Sequence, residues 1–268
     1  MTPTARSDPR RGPAPALLGS GLIGVLGGLV GLGGAEFRLP LLIGAFGFPA
    51  LEAVIVNKAT SLVVVAAALP FRAGTVPLGE VVAHWRVIAN LLAGSLVGAW
   101  LGAGWATRLR SAILHRVIAV LLVAIAALLL VGHGHGPGAP ALDGAALLAA
   151  GVAAGVGIGV VAALLGVAGG ELLIPTLVLL FGVDIKLAGS LSLAVSLPTM
   201  VAAFARYSRD GSFAVLAREW PFVLAMALGS ICGALVGGLL LGMVPGAALL
   251  PALAVILLLS AAKVWRHA

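Results

Sequence analysis

The sequence predicts an all-α integral membrane protein made of two inverted-topology repeats, with about eight long transmembrane helices plus two short broken half-helices near the midplane. Three observations predict it. The chain of 268 residues is 61% hydrophobic and 9% charged, whereas about a quarter of residues in soluble proteins are charged. One short motif occurs twice: Gly31-Leu-Gly-Gly-Ala-Glu36-Phe-Arg-Leu-Pro40 returns 135 positions later as Gly166-Val-Ala-Gly-Gly-Glu171-Leu-Leu-Ile-Pro175. Most Lys and Arg stand at the ends of apolar runs, the distribution of cytoplasmic membrane loops.

In chain order, residues 1–15 carry Arg6, Asp8, Arg10 and Arg11 among prolines and predict a disordered cytoplasmic tail. A helix needs roughly 20 apolar residues to cross a bilayer. The first membrane repeat, 16–131, offers such runs at 16–33, 51–71, 81–105 and 113–131. Between the first two, 39–47 is near half the bilayer thickness at about 1.5 Å per residue. The linker 132–143 contains Gly132-His-Gly-His-Gly-Pro-Gly-Ala-Pro140 and is expected on the extracytoplasmic side. The second repeat, 144–268, offers 144–168, 186–205, 220–241 and 246–263, with the short segment 174–182 between its first two. Cleaved signal peptides do not explain these runs, because they recur to the C-terminus.

A constant offset carries the repeat beyond the opening motif. It maps Phe46-Gly47 onto Phe181-Gly182, Ser61-Leu62 onto Ser196-Leu197, Trp85 onto Trp220 and Gly94-Ser95 onto Gly229-Ser230. Small residues recur every fourth position at Gly94, Gly98 and Gly102 and again at Gly229, Gly233 and Gly237, a spacing that lets helix backbones approach closely. Basic residues cluster in the N-terminal tail, at Arg108/Arg110/Arg116, at Arg206/Arg209/Arg218 and at Lys263/Arg266, while the linker has none. With basic regions inside, the first half starts in the cytoplasm and ends outside, and the second half returns. Arg72 and Arg86 stand near the outer loop against this trend. Parity alone leaves open whether each short segment crosses or re-enters.

Glycine permits unwound backbone, and proline is tolerated in the first turn of a following helix. Gly31, Gly33 and Gly34 before Pro40, and Gly169 and Gly170 before Pro175, therefore predict breaks leading into half-helices whose free N–H groups can bind an anion. Glu36 and Glu171 complicate that site, since a carboxylate in the membrane costs about 2.5–3.5 kcal/mol and usually marks function. They either carry or coordinate a proton or sodium ion that moves with the solute, gating transport, or sit at a half-helix N-terminus and favour its dipole. Arg38 or Lys58 can neutralise Glu36. Glu171 has only Lys186 nearby in sequence, so it is the better candidate for proton exchange. On the next helices, Asn57/Ser61 and Ser192/Ser196 form matching polar stripes at identical repeat positions, able to hold solute oxygens or to bond neighbouring helices. Lys58 faces a cavity as the counter-charge for an anion, or pairs with Glu36 or Glu52. Arg206 is a gate or a positive-inside anchor.

These residues resemble the TauE/SafE family of sulfite exporters and related anion permeases over about 18–266. The resemblance rests on Gly31-x-Gly-Gly-x-x-x-x-x-Pro40 with Gly47, on Gly166-x-x-Gly-Gly-Glu-Leu-x-x-Pro175 with Phe181-Gly182, and on Leu187-Ala-Gly-Ser-Leu-Ser-Leu-Ala-Val-Ser-Leu-Pro198 followed by Phe204-Ala-Arg206-Tyr. It implies a carrier in the bacterial inner membrane that moves sulfite, sulfonates or other small organic anions, usually outward. The first copy departs from the second by placing Arg38 where the second has Leu173.

Other functions are less well supported. The net charge of +7 comes with no basic stretch interleaved with stacking aromatics, so no nucleic-acid partner is expected. There is no Gly-x-x-x-x-Gly-Lys-Ser/Thr loop for ATP, no His-Glu-x-x-His zinc motif and no Ser/His/Asp set at membrane depth, so neither a pump by itself nor an enzyme is expected. His133 and His135 lack accompanying carboxylates or thiols, and neither a metal site nor a cofactor is expected. The expected partners are a small anion and the lipid bilayer, with a homodimer left open. The alternative is a passive anion channel or a cation pathway using the paired glutamates.

Overall fold

Apolar runs of this length satisfy their backbone in lipid only by coiling into helices or closing into barrels, and helices are what form. The computed structural model describes residues 12–30, 34–73, 76–131 and 142–240, with 258, 261–262 and 265–266 near the C-terminus; among them are helices and turns and no strand. In chain order these are α1 (Pro13–Val30), α2 (Ala35–Gly44), α3 (Ala50–Ala73), α4 (Leu78–Ala83), α5 (Trp85–Ala106), α6 (Ser111–Val131), α7 (Gly144–Leu165), α8 (Gly170–Phe181), α9 (Ile185–Tyr207), a 3₁₀ turn (Gly211–Ala214), α10 (Val215–Arg218) and α11 (Trp220–Leu240). The expected tail 1–15 lies outside the described residues up to position 11, as do the linker from 132 to 141 and almost all of the expected span 246–263.

Among the described residues, four helical stretches are long and apolar enough to cross a membrane, Ala50–Ala67, Trp85–Ala106, Gly144–Leu165 and Leu187–Tyr207, and a fifth arises if Gly211–Arg218 and Trp220–Val236 form one span bent by 73°. Of the other expected spans, 16–33 and 246–263 extend beyond the described residues, and 113–131 falls within the 21-residue α6. The expected span 81–105 is corrected, because it divides at His84 into α4 and α5. His84 and Arg86 stand at the division, with Glu80 just before the expected span, and α4 has no fully buried residue. Polar residues there end the membrane helix, while Val81 still packs on the core beside α9. The 3₁₀ turn and α10 make the corresponding corner before α11, and Trp85 and Trp220, 59% and 62% exposed, occupy equivalent corner positions.

The half-helices also begin earlier than 39 and 174. Glu36 and Glu171 fall in the first turns of α2 and α8, and Pro40 and Pro175 lie inside those helices. Glycine therefore makes the breaks: Gly34 (φ 71°) precedes α2, and Gly169 (φ 85°) precedes α8. Proline adds that the carbonyls of Glu36 and Glu171, four residues back, receive no N–H from positions 40 and 175.

Packing joins the halves. α1 lies along α11 and α5 along α7, while α3 meets α9; exchanging equivalent helices of the two halves leaves this set of pairs unchanged. The glycine rows bring the backbones together. A Cβ at Gly94 would strike the Val152 carbonyl and one at Gly98 the Val156 carbonyl, and the same contact recurs between Gly229 and Leu17 and between Gly233 and Gly21. Ser95 Oγ bonds Thr199 Oγ1 at 2.7 Å across α5 and α9, and Ser230 bonds Ser20 across α11 and α1. Beside them, Phe46 and Phe48 pack on Phe222 at ring separations of 4.8 and 5.3 Å.

Candidate solute site at two helix breaks

A helix that ends inside a bundle leaves carbonyls that no later N–H reaches. At the end of α7 the carbonyls of Ala162, Ala163 and Leu165 have identified donors. Gly166 turns into the left-handed region at φ 68°, and Val167 N–H returns to Ala162 O at 3.0 Å while Gly166 N–H returns to Ala163 O at 3.0 Å, a Schellman-type closure. Side chains from the rest of the bundle complete it. Lys58 Nζ donates to Ala162 O at 2.8 Å and to Val167 O at 2.6 Å. Asn57 Nδ2 donates to Leu165 O at 3.0 Å, and Tyr207 Oη donates to Ala163 O at 2.9 Å. Gly166 must be glycine for a second reason, since a Cβ there would strike the Val54 carbonyl on α3.

Asn57 ties the two breaks together. Its Nδ2 also donates to Ala35 O, the first residue of α2, at 3.0 Å. Its Oδ1 accepts from Arg38 Nη1 at 3.3 Å, and the same Nη1 donates to Ser61 Oγ at 3.0 Å. The polar stripe expected on α3 thus exists, with Asn57, Lys58 and Ser61 all buried. Lys58, however, forms no ion pair with Glu36 or Glu52. Its ammonium is drawn to the carbonyl end of α7, where a cation suits the helix dipole, and Glu52 instead bonds Arg218 at 2.8 Å.

The second half carries the same positions with different chemistry. Ser192 and Ser196 on α9 are buried; Ser192 Oγ donates within its own helix to Gly189 O at 2.8 Å, whereas the Oγ of Ser196 has no hydrogen-bond partner among the described residues. Leu173, also buried, stands where the first half has Arg38. Glu36 and Glu171 are 1% and 3% exposed, and both oxygens of Glu36 and Oε1 of Glu171 have no hydrogen-bond partner among the described residues. The N-cap residues of both half-helices are glycines, Gly34 and Gly169, with no side chain to form a cap, and the carboxylates sit in the first turns. A Cβ at Gly170 would meet nothing within 4 Å.

Gly31 and Gly33 lie outside the described residues, and Gly34 and Gly169 are the left-handed residues before α2 and α8. Arg206 is not part of this cluster: its guanidinium lies against Gly104 and the Trp100 ring on α5. Sequence reasoning missed Tyr207, the only tyrosine of the chain, and the bridging role of Arg38. A single polar ring at the end of an apolar helix was the available signal for Tyr207.

A multi-pass helical bundle with buried carboxylates at two pinned helix breaks has the construction of a membrane transport protein. The family model described as sulfite exporter TauE/SafE matches residues 16–264. The chain belongs to that family, a family of membrane anion exporters. No curated protein and no solved structure matches it.

Proposed function

We propose that the protein is a secondary transporter that carries sulfite, sulfonates or related small organic anions outward across the bacterial inner membrane, by alternating access coupled to a proton gradient. The observation that carries this reading is the pair of breaks at Gly34 and Gly166–Gly169, each followed by a buried glutamate and linked through Asn57. The halves lie inverted in the bilayer, both termini face the cytoplasm, and the linker faces outside, following the distribution of basic residues. The solute rests between the N-terminal turns of α2 and α8, near Gly34, Gly169 and Gly170, with Ser61, Ser192 and Ser196 as neutral oxygen partners. Asn57 and Lys58 act on it by fixing the breaks. Glu171, with Leu173 in place of a cation equivalent to Arg38, carries the coupled proton, and Glu36 gates.

A cation pathway through the two glutamates is the second reading, favoured by their unpartnered oxygens. Uptake into proteoliposomes separates the two. Saturable, counterflow-capable sulfite movement that responds to an imposed pH gradient is expected, and Glu171→Gln should abolish the pH response with more effect than Glu36→Gln. Conductance that does not saturate, or a pH response untouched by both substitutions, contradicts the proposal.

A further inference from the structure

At the ends of α5 and α9, two cations converge on one ring. The Arg209 guanidinium carbon lies 4.9 Å and that of Arg206 lies 5.8 Å from the centre of the Trp100 ring, both within the range of a cation–π contact. Gly104, one turn beyond Trp100, clears the space: a Cβ there would stand 3.4 Å from Arg206 Nε and Nη2. The ion pairs among the described residues join Arg218 to Glu52 and to Glu219, and none reaches Arg206 or Arg209. Asp210, the nearest carboxylate in sequence, turns its Oδ1 to Ser212 N–H at 2.9 Å. Two like charges gathered on one face repel each other, and an anion between them removes that repulsion.

The surroundings choose the anion. Trp100 is partly exposed, and Val97, Leu101 and Val201 expose apolar side chains on the same two helices, both long enough to cross the bilayer. Val97, Trp100, Leu101 and Gly104 follow helical spacing and share one face of α5, which runs from lipid depth up to the arginines. A small soluble anion needs only the cations. A phospholipid needs both the cations for its phosphate and the apolar face for its chains, with an indole at the interface between them. We infer that Arg206, Arg209 and Trp100 form a binding site for the headgroup of an anionic phospholipid. This makes Arg206 a lipid ligand in place of a gate in the solute path. The site also touches the transport machinery, because the next residue, Tyr207, holds the Ala163 carbonyl at the α7 break.

The test is native mass spectrometry of the full-length protein in neutral detergent, titrated with phosphatidylglycerol and, separately, with phosphatidylcholine. Wild type should retain phosphatidylglycerol preferentially. Arg206→Gln and Arg209→Gln should each weaken it about 5-fold and together about 30-fold, from the value of one basic residue at an anionic surface. Arg108→Gln/Arg110→Gln, which removes the same charge at the adjoining helix end, should keep wild-type affinity. If the double variant does not fold, Arg209→Gln alone, at an exposed position, reads the same effect. Wild-type affinity in the Arg206/Arg209 variants, equal loss in the Arg108/Arg110 variant, or displacement of the lipid by millimolar sulfite or inorganic phosphate overturns the assignment, the last in favour of a free-anion site.

Discussion

Replacing Asn57 with aspartate tests the link between the two breaks with almost no change in volume. Aspartate keeps an acceptor for Arg38 but turns oxygen, in place of N–H, toward Ala35 O and Leu165 O, each 3.0 Å from Nδ2 in the native protein. Interhelical hydrogen bonds in membrane bundles average about 0.6 kcal/mol and reach about 1.7, whereas a buried carbonyl left without a donor costs about 1–3 kcal/mol. Asn57 is fully buried, and Leu165 O lies at the α7 break, so the larger figure applies there; Ala35 O, in the first turn of α2, keeps its helical partner and loses only an additional bond. The two losses, offset by about 1 kcal/mol from a charged partner for Arg38, give about 2 kcal/mol of destabilisation. For a chain of this size that is about 4–8 °C in melting temperature. The assay is thermal unfolding in one detergent, with Ser208→Ala as the comparison. Ser208 makes a single side-chain bond, to Ala205 O at 2.9 Å at an exposed position, where water replaces it at a cost of about 0.5 kcal/mol or less. Equal melting of Asn57→Asp and Ser208→Ala would refute the bridge between the breaks.

The remaining predictions concern the scaffold and the α7 end. Gly98→Val and Gly233→Val should each lower stability by about 3 kcal/mol or prevent folding, because the new side chain falls on the Val156 or the Gly21 carbonyl in a contact that cannot relax; folded yield on size exclusion reads it. Gly211→Ala meets open space and should stay within about 0.5 kcal/mol of wild type in the same measurement. Tyr207→Phe should cost only about 1 kcal/mol in thermal unfolding, since Ala163 O keeps its bond from Gly166 N–H at 3.0 Å, yet it should slow sulfite exchange if the α7 end moves during transport.

How much of this was legible in the sequence depends on which interaction decides each feature. Helix positions followed from hydrophobicity, and most bounds fall within a few residues of the apolar runs. The close approach of α5 to α7 was readable because small residues at every fourth position have one dominant physical use. The corner at His84 was hidden, since the run 81–105 is apolar on average while its first turns are not. The partner of Lys58 was hidden for a different reason. Sequence proximity favours Glu36 and Glu52, but the carbonyls that hold it belong to Ala162 and Val167, more than a hundred residues away. A broken helix end attracts a cation as a carboxylate does, and no residue type announces a carbonyl that has lost its N–H.

That distinction also explains which parts of the two halves remain alike. Contacts made through the backbone recur almost unchanged: Gly94 on Val152 matches Gly229 on Leu17, and Gly98 on Val156 matches Gly233 on Gly21. Any side chain at these glycines would separate the helices, so both copies are held to the same residue. Contacts made by side chains at the breaks have diverged. Asn57, Lys58 and Arg38 of the first half correspond to Ser192, Leu193 and Leu173 of the second. One Lys58 suffices for the α7 end, and a second buried ammonium at position 193 would add another desolvation penalty in a bundle already holding Arg38, Lys58, Glu36 and Glu171. A symmetric scaffold with asymmetric polar groups follows, in which Asn57 and Lys58 of the first half, with Tyr207 of the second, hold the α7 break, while Ser196 Oγ and Glu171 Oε1 have no hydrogen-bond partner among the described residues. Moving the fixed set, by Asn57→Ser with Ser192→Asn, should therefore fail to restore the stability lost in Asn57→Ser alone, because Lys58 and Arg38 stay behind with the first half.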